Sequence, residues 1–386
     1  MSLDALRGFD MFWIAGGSYV VAALNQLSDN WLLKLLKSQL SHVDWAGFRF
    51  YDLIFPLFVF INGVSLTFSL TKTVQRDGRV SAFKRIVQRG LLLFVLGIIY
   101  SGGFSNEWPG IRVMGVLQRI ALSYVGAGTL FLLLKPRGLA GALVGILVGY
   151  WALLEFVPVR NFQLDAPAIH ALQKDRPGVD VRTLFFETRE STRGHYEKGL
   201  NLVNHIDYQF LPGKLYDTFY DPEGLLSTLP AVGSALFGVL AGVFLMTSTR
   251  PGTSKAMILA ACGVTSVVVG GLWGLEMPVI KKLWTSSFVL VAGGYSLLLL
   301  GAFYFVVDVL GKRVWCQPFV WIGMNSITIY FAAQLLNFRK IAERLVGGSI
   351  KASLGNFGDI LLAIVTITLL FLFARMLYRR NIFLRL

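Results

Sequence analysis

His42 stands just ahead of a long apolar run, in the stretch LSHVDWAGFRFYDLIFPLFVFING (40–63), with Asp44, Trp45 and Asp52 close by. An imidazole next to carboxylates on a partly dry surface is how a general base working near neutral pH is built. A histidine at such a boundary also serves as a plain structural residue, and Asp52 either caps its own helix or orients the ring. Asp221 and Glu223 repeat the theme ahead of another run, in YDPEGLLSTLPA, where they meet a helix dipole or bind a substrate. Arg119, in VLQRIALSY, either snorkels at the mouth of its run or pairs with one of these acids. Near the start of the chain Asp4, Arg7 and Asp10 are spaced three apart and share one helix face. Such a ladder either neutralises itself to fix packing or belongs to a site.

These residues need elements to hold them, and composition says which kind. The chain has 386 residues, 55% hydrophobic and 15% charged. Its apolar residues come in runs of the length that spans a bilayer, which excludes an ordinary soluble domain. About ten such runs are expected, near 9–27, 50–71, 86–104, 115–134, 138–157, 225–247, 256–275, 285–308, 315–336 and 357–378. They are continuous rather than alternating, so the expected fold is an all-α polytopic bundle and not an outer-membrane barrel. The bundle is read as a single domain over 1–386, and the polar loop 157–224 as an outer cap between the fifth and sixth spans. The stretches 29–40 and 337–354 mix leucine or isoleucine with basic residues at helical spacing, as helices lying in an interface do.

One set of short loops carries more lysine and arginine than the other, which places both termini in the cytoplasm and His42 outside. The net charge of +14 is scattered over helix ends and lipid-facing rims, with no nucleic-acid motif. Cys262 and Cys316 lie in or beside apolar runs, and His170, His195 and His205 lack ligand spacing, so no metal is expected.

Seven motifs in order resemble a family. They are SLDALRGFD, HVDWAGFRFYDLIFPLFVFINGVS, IRVMGVLQRIAL, YDPEGLLSTLPA, KKLWTSSFVL, FVWIGMNSITIYF and the tail LYRRNIFLRL. Together they are similar to the heparan-α-glucosaminide N-acetyltransferases and their bacterial relatives. The resemblance implies transfer of an acetyl group from cytoplasmic acetyl-CoA to the amino group of a hexosamine across the membrane. It implies that His42, in an H-x-x-W-x-G setting with Trp45 and Gly47, is catalytic, with Asp52 beside it. Trp45, Arg119, Asp221, Glu223, Trp284, Ser286, Asn325 and Ser326 fall in family motifs and become the substrate-site candidates. Where the resemblance implies an asparagine at the outer end of the first span, Ser18 stands at the nearest ungapped position, with Asn25 further on. A homodimer is implied as well, and the short N-terminus looks more like a bacterial inner-membrane member than the lysosomal one.

The chemistry fits these residue types. An alkylammonium must lose a proton before its nitrogen attacks a thioester, and a neutral imidazole takes that proton or carries the acetyl group itself. Arg7, Arg76, Arg85 and Arg89, with Lys72 and Lys84, form a basic rim for the phosphates of CoA, which the positive-inside bias would also produce. Two other classes stay open: a transporter for a sugar or an anionic solute, and an O-acyltransferase acting on a surface glycan.

Overall fold

The computed structural model describes residues 1–24, 30–175 and 178–383. It is an all-α bundle with one short ribbon. The chain opens with α1 (Ser2–Phe12), a π turn (Trp13–Gly17) and α2 (Ser18–Leu24), and the break falls on WIAGG, where Gly16 takes φ 144°. A side chain rarely adopts that backbone, which glycine tolerates. Residues 25–29, which include Asn25 and the first residue of the 29–40 stretch, lie outside the described chain.

α3 (Trp31–Gln39) buries none of its residues and leads directly to His42. α4 (Phe50–Tyr100) is 51 residues long, enough for two passes, and its two arms meet at Gly78, where the backbone is left-handed (φ 82°). α5 (Val116–Leu133) and α6 (Pro136–Phe156) follow. The segment after α6 forms β1 (Val159–Arg160), α7 (Ala166–Asp175), α8 (Val181–Glu187), β2 (Ser191–Thr192) and α9 (Leu202–Phe210), with β1 antiparallel to β2. This segment, the expected cap, has a small core of its own, in which Phe162, Leu164, Ile169, Leu184 and Phe185 are buried. The chain then returns to the bundle through α10 (Thr228–Thr247), α11 (Gly252–Trp273) and α12 (Ser286–Phe303), the last running on into a π turn (Tyr304–Val309).

α13 (Gln317–Gly323) and α14 (Ser326–Leu335) share the apolar run 315–336 and are separated at Asn325. α15 (Phe338–Val346) buries Phe338 and Ala342, α16 (Ser349–Ser353) is a single turn, and α17 (Phe357–Arg379) closes the bundle. Seven of these helices are long and apolar enough to cross a membrane. The ten apolar runs map onto those seven, with α4 covering two, and onto the broken pairs α1–α2 and α13–α14. Breaks are tolerated at membrane depth where neighbouring helices enclose the freed backbone.

Small residues let the helices that carry the site approach closely. A Cβ at Gly63 of α4 would land on the carbonyl of Ala235, and one at Gly238 of α10 on the carbonyl of Phe60. Gly238→Ala is therefore expected to destabilise the protein by about 1–3 kcal/mol. Gly145→Ala, on α6 where a Cβ meets nothing within 4 Å, should be neutral or slightly stabilising. Thermal unfolding of the two variants in detergent checks this, and equal melting temperatures would contradict it.

Candidate active site

The loop between α3 and α4 is fixed by pairing far along the chain. Ala46 bridges Ile280, and the Gly47 N–H donates to the Val279 carbonyl at 2.8 Å. The Trp45 indole N–H donates to the Tyr196 carbonyl of the cap at 2.7 Å, and Lys282 lies over its ring. His42 is thus held between α4, the cap and the loop joining α11 to α12.

Asp52 lies one turn into α4 and is completely buried, whereas the His42 side chain is 52% exposed. His42 Nδ1 and Asp52 Oδ1 are 2.8 Å apart. An ionised carboxylate only accepts, so the proton between them sits on Nδ1 and the Nε2 lone pair is left for chemistry. The other Asp52 oxygen accepts the N–H groups of Val43 (3.3 Å) and Arg49 (3.2 Å). Asp52 is therefore both a helix cap and the orienter of the ring, the two readings its position allowed. The Tyr51 ring flanks the imidazole at 4.9 Å.

Lys281 completes the cluster. Its ammonium is 3.5 Å from Asp52 Oδ1 and 3.2 Å from His42 Nδ1, and its side chain is largely covered. Burial pushes this ammonium below the usual lysine range, and Asp52 and Glu223 offset part of that. Nothing in local spacing marks Lys281; it reaches His42 because Ala46 pairs with its neighbour Ile280.

A second cluster lies between the cap and the start of α10. Arg112 clamps Asp221 with two hydrogen bonds (2.8 and 2.7 Å) and Glu223 with a third (2.7 Å), and its guanidinium lies 4.7 Å from the centre of the Tyr216 ring. Burial works against the Arg112 charge, but the two carboxylates hold it above the usual arginine range. Burial also pushes the Glu223 carboxyl up, with Asp221 adding to it. Arg112 is placed by a bridge to Gly213, so sequence spacing again gave no sign of it. Beneath this cluster Asp207 accepts the Leu225 N–H at 2.9 Å, and burial raises its carboxyl to about 7.

Arg119 is fully buried and hydrogen-bonded to Ser227, with its guanidinium 4.8 Å from the Trp284 ring centre. Among the described residues its Nε and Nη1 have no hydrogen-bond partner. Trp284 donates to Ser234 at 3.0 Å and meets Phe55 edge-on at 5.1 Å. Ser286 donates to the Leu147 carbonyl at 2.7 Å, a contact between helices. Among the described residues, neither amide atom of buried Asn325 and neither carboxyl oxygen of buried Asp10 has a hydrogen-bond partner, while Asp4 keeps Arg7 at 3.6 Å.

A large cavity of about 740 Å³ opens from the end of the bundle that carries the basic residues. Arg7, Lys72, Arg85 and Arg89 line it, with Asp4 as the one acid among its described lining residues. Arg76 stands outside it, exposed and paired with Asp77 at 2.7 Å. Ser326 lines this cavity, which separates it from the residues around Arg112. One face of α4 lines the cavity with Phe58, Asn62, Ser65, Ser69 and Lys72. Phe58 and Ile327 also line a narrow apolar pocket of about 20 Å³ with Met11, Ile14, Phe55 and Tyr330. Phe58 is six residues from Asp52, about 9 Å along the helix axis.

Residues 1–172 match the family model described as "Heparan-alpha-glucosaminide N-acetyltransferase, catalytic". That span holds His42, Asp52, Arg112, Arg119 and most of the basic cavity. The chain is 29% identical over 378 residues to the heparan-alpha-glucosaminide N-acetyltransferase of Homo sapiens, covering 89% of this chain and 55% of that protein. It is 29% identical over 324 residues to the Mus musculus protein of the same name, covering 76% and 49%. The chain thus spans about half the length of the curated relatives it matches. The family resemblance carried by the seven motifs is borne out.

Proposed function

We propose that the chain is a membrane-embedded acetyltransferase that moves an acetyl group from acetyl-CoA, held in the basic cavity, to the amino group of a hexosamine at the His42 end. One observation carries the reading. A single face of α4 lines an anion-receptive cavity from Lys72 to Phe58, and the same helix, about 9 Å further on, holds the carboxylate that orients His42. The cavity face and the carboxylate that orients the base are thereby set on one arm of α4, with Phe55 and Phe58 as the apolar throat between them. The positive-inside bias puts the basic end, and both termini, in the cytoplasm.

The cavity suits CoA in size and charge. Its volume lies within the range of small-molecule sites, and four cations face one acid. Arg7, Lys72, Arg85 and Arg89 hold the phosphates by charge-assisted hydrogen bonds, and the thioester arm points along α4 toward the throat. At the other end Asp52 is filled by His42, Lys281 and two backbone N–H groups, so it holds the ring rather than the sugar's ammonium. His42 Nε2 takes a proton from that ammonium, and the amine attacks the thioester carbonyl. The C–N bond forms as the C–S bond breaks, and the second proton of the nitrogen passes to the departing thiolate, which leaves on the cavity side as the free thiol of CoA. In the covalent variant of the same reading, Nε2 accepts the acetyl group first and passes it to the amine. The names of the relatives support an amino-sugar acceptor.

The combined change Arg85→Gln and Arg89→Gln removes two of the four cations. It is expected to raise KM for acetyl-CoA at least about a hundredfold, taking each charged hydrogen bond as about 1.5–3 kcal/mol. KM for glucosamine should not move. Initial rates from thiol release on purified protein check this; a change confined to the glucosamine KM would contradict the assignment of the cavity.

A further inference from the structure

Asp52 is shared by two groups of opposite protonation habit. His42 reaches it through Nδ1 at 2.8 Å and Lys281 through Nζ at 3.5 Å, while the lysine nitrogen lies 3.2 Å from the same Nδ1. With Asp52 ionised and Lys281 charged, the pair is already balanced. An imidazolium would add a second cation beside the first, 3.2 Å from the lysine nitrogen. Without Lys281 the buried carboxylate would have no cation but the ring, and it would hold a proton on Nε2 as well as Nδ1.

We propose that Lys281 is the positioning residue of this site, its ammonium balancing Asp52 so that His42 is held as a neutral imidazole with Nε2 open to accept a proton. The inference rests on His42 being the base of the proposed transfer. The geometry gives Lys281 no place among substrate contacts: it approaches the ring from the Nδ1 side, behind the reactive nitrogen. It is set there by the Ala46–Ile280 bridge, and the loop that carries it is closed on itself by Thr285, which donates to the Pro278 carbonyl at 2.9 Å. Other charged and titratable groups lie around the pair. Tyr51 on α4 flanks the ring, and Arg49 spends its guanidinium on Ser41 and on the His42 carbonyl. Glu223 adds negative potential at Lys281 from the α9–α10 side, and neighbouring Lys282 adds positive.

The test reads the ring and the reaction separately, on the full chain in detergent. The protein has four histidines, so the His42 signal in isotope-labelled protein is assigned by its absence from His42→Gln. Its titration is followed by NMR in wild type, Lys281→Met and Lys281→Arg, beside pH–rate profiles with acetyl-CoA and glucosamine. In Lys281→Met the titration should move to higher pH by roughly one to three units. The acid limb of the rate profile should move with it, and the rates should converge with wild type at alkaline pH. Lys281→Arg, which keeps the charge, should restore the wild-type midpoint. Should Lys281→Met not fold, Lys281→Gln makes the same neutral substitution with a polar end. A loss of rate equal at every pH, with an unmoved titration, would overturn the proposal. If wild type transfers no acetyl group, the enzymatic reading fails, while the NMR titration still decides whether Lys281 governs the ring.

Discussion

His42→Ala is expected to lower acetyl transfer by about 10²–10⁴-fold if the ring is a general base, the span that positioned bases typically contribute. If the ring carries the acetyl group, the loss is complete. Either way the variant should fold. The His42 side chain is half-exposed, and its removal leaves Asp52 with Lys281 and two N–H groups. Melting temperature should therefore change little while turnover collapses. A burst of thiol from acetyl-CoA alone, equal to the enzyme present and absent from His42→Ala, would mark the covalent route. Undiminished turnover in the variant would remove His42 from the mechanism.

Arg112→Met is expected to be the most damaging change to stability outside the helix core. It would strand Asp221, whose side chain is wholly buried, and Glu223, which is 15% exposed, without the guanidinium that holds both. Breaking a buried pair by removing one partner costs about 3–5 kcal/mol, because an uncompensated charge is left behind. Removing one of the stranded charges should recover part of the loss, so Arg112→Met with Asp221→Asn is expected to melt above Arg112→Met alone. Additive losses in the double variant would mean that the two residues act independently, contrary to the bidentate contact.

The extent to which the site was legible follows from how each part is encoded. The apolar runs are local, so the long helices and the two runs within α4 follow signals within some twenty residues, whereas the break at Asn325 falls inside 315–336, a stretch expected to be one continuous span. His42 and Asp52 are ten residues apart, and their partnership is equally local. The cavity face of α4 is a helical repeat, 58, 62, 65, 69, 72, visible in the sequence once one asks which residues interrupt the apolar run. Lys281 and Arg112 are different. Their partners lie 239 and 109 residues away, and each is delivered by a single bridge between loops. Periodicity carries no record of such pairings. The candidate residues also sort into separate places, which motif order alone did not reveal. Ser326 faces the basic cavity, Ser286 ties α12 to α6, and Arg76 pairs with Asp77 outside both clusters.

The central claim is that donor and acceptor react from opposite ends of one bundle. The most direct measurement uses proteoliposomes with uniformly oriented protein, acetyl-CoA supplied on the side of the basic cavity and glucosamine only on the side of His42. The account predicts N-acetylglucosamine on the His42 side and free CoA on the other, with no turnover when both substrates are confined to the His42 side. Acetylated sugar formed with acetyl-CoA on the His42 side alone would contradict it.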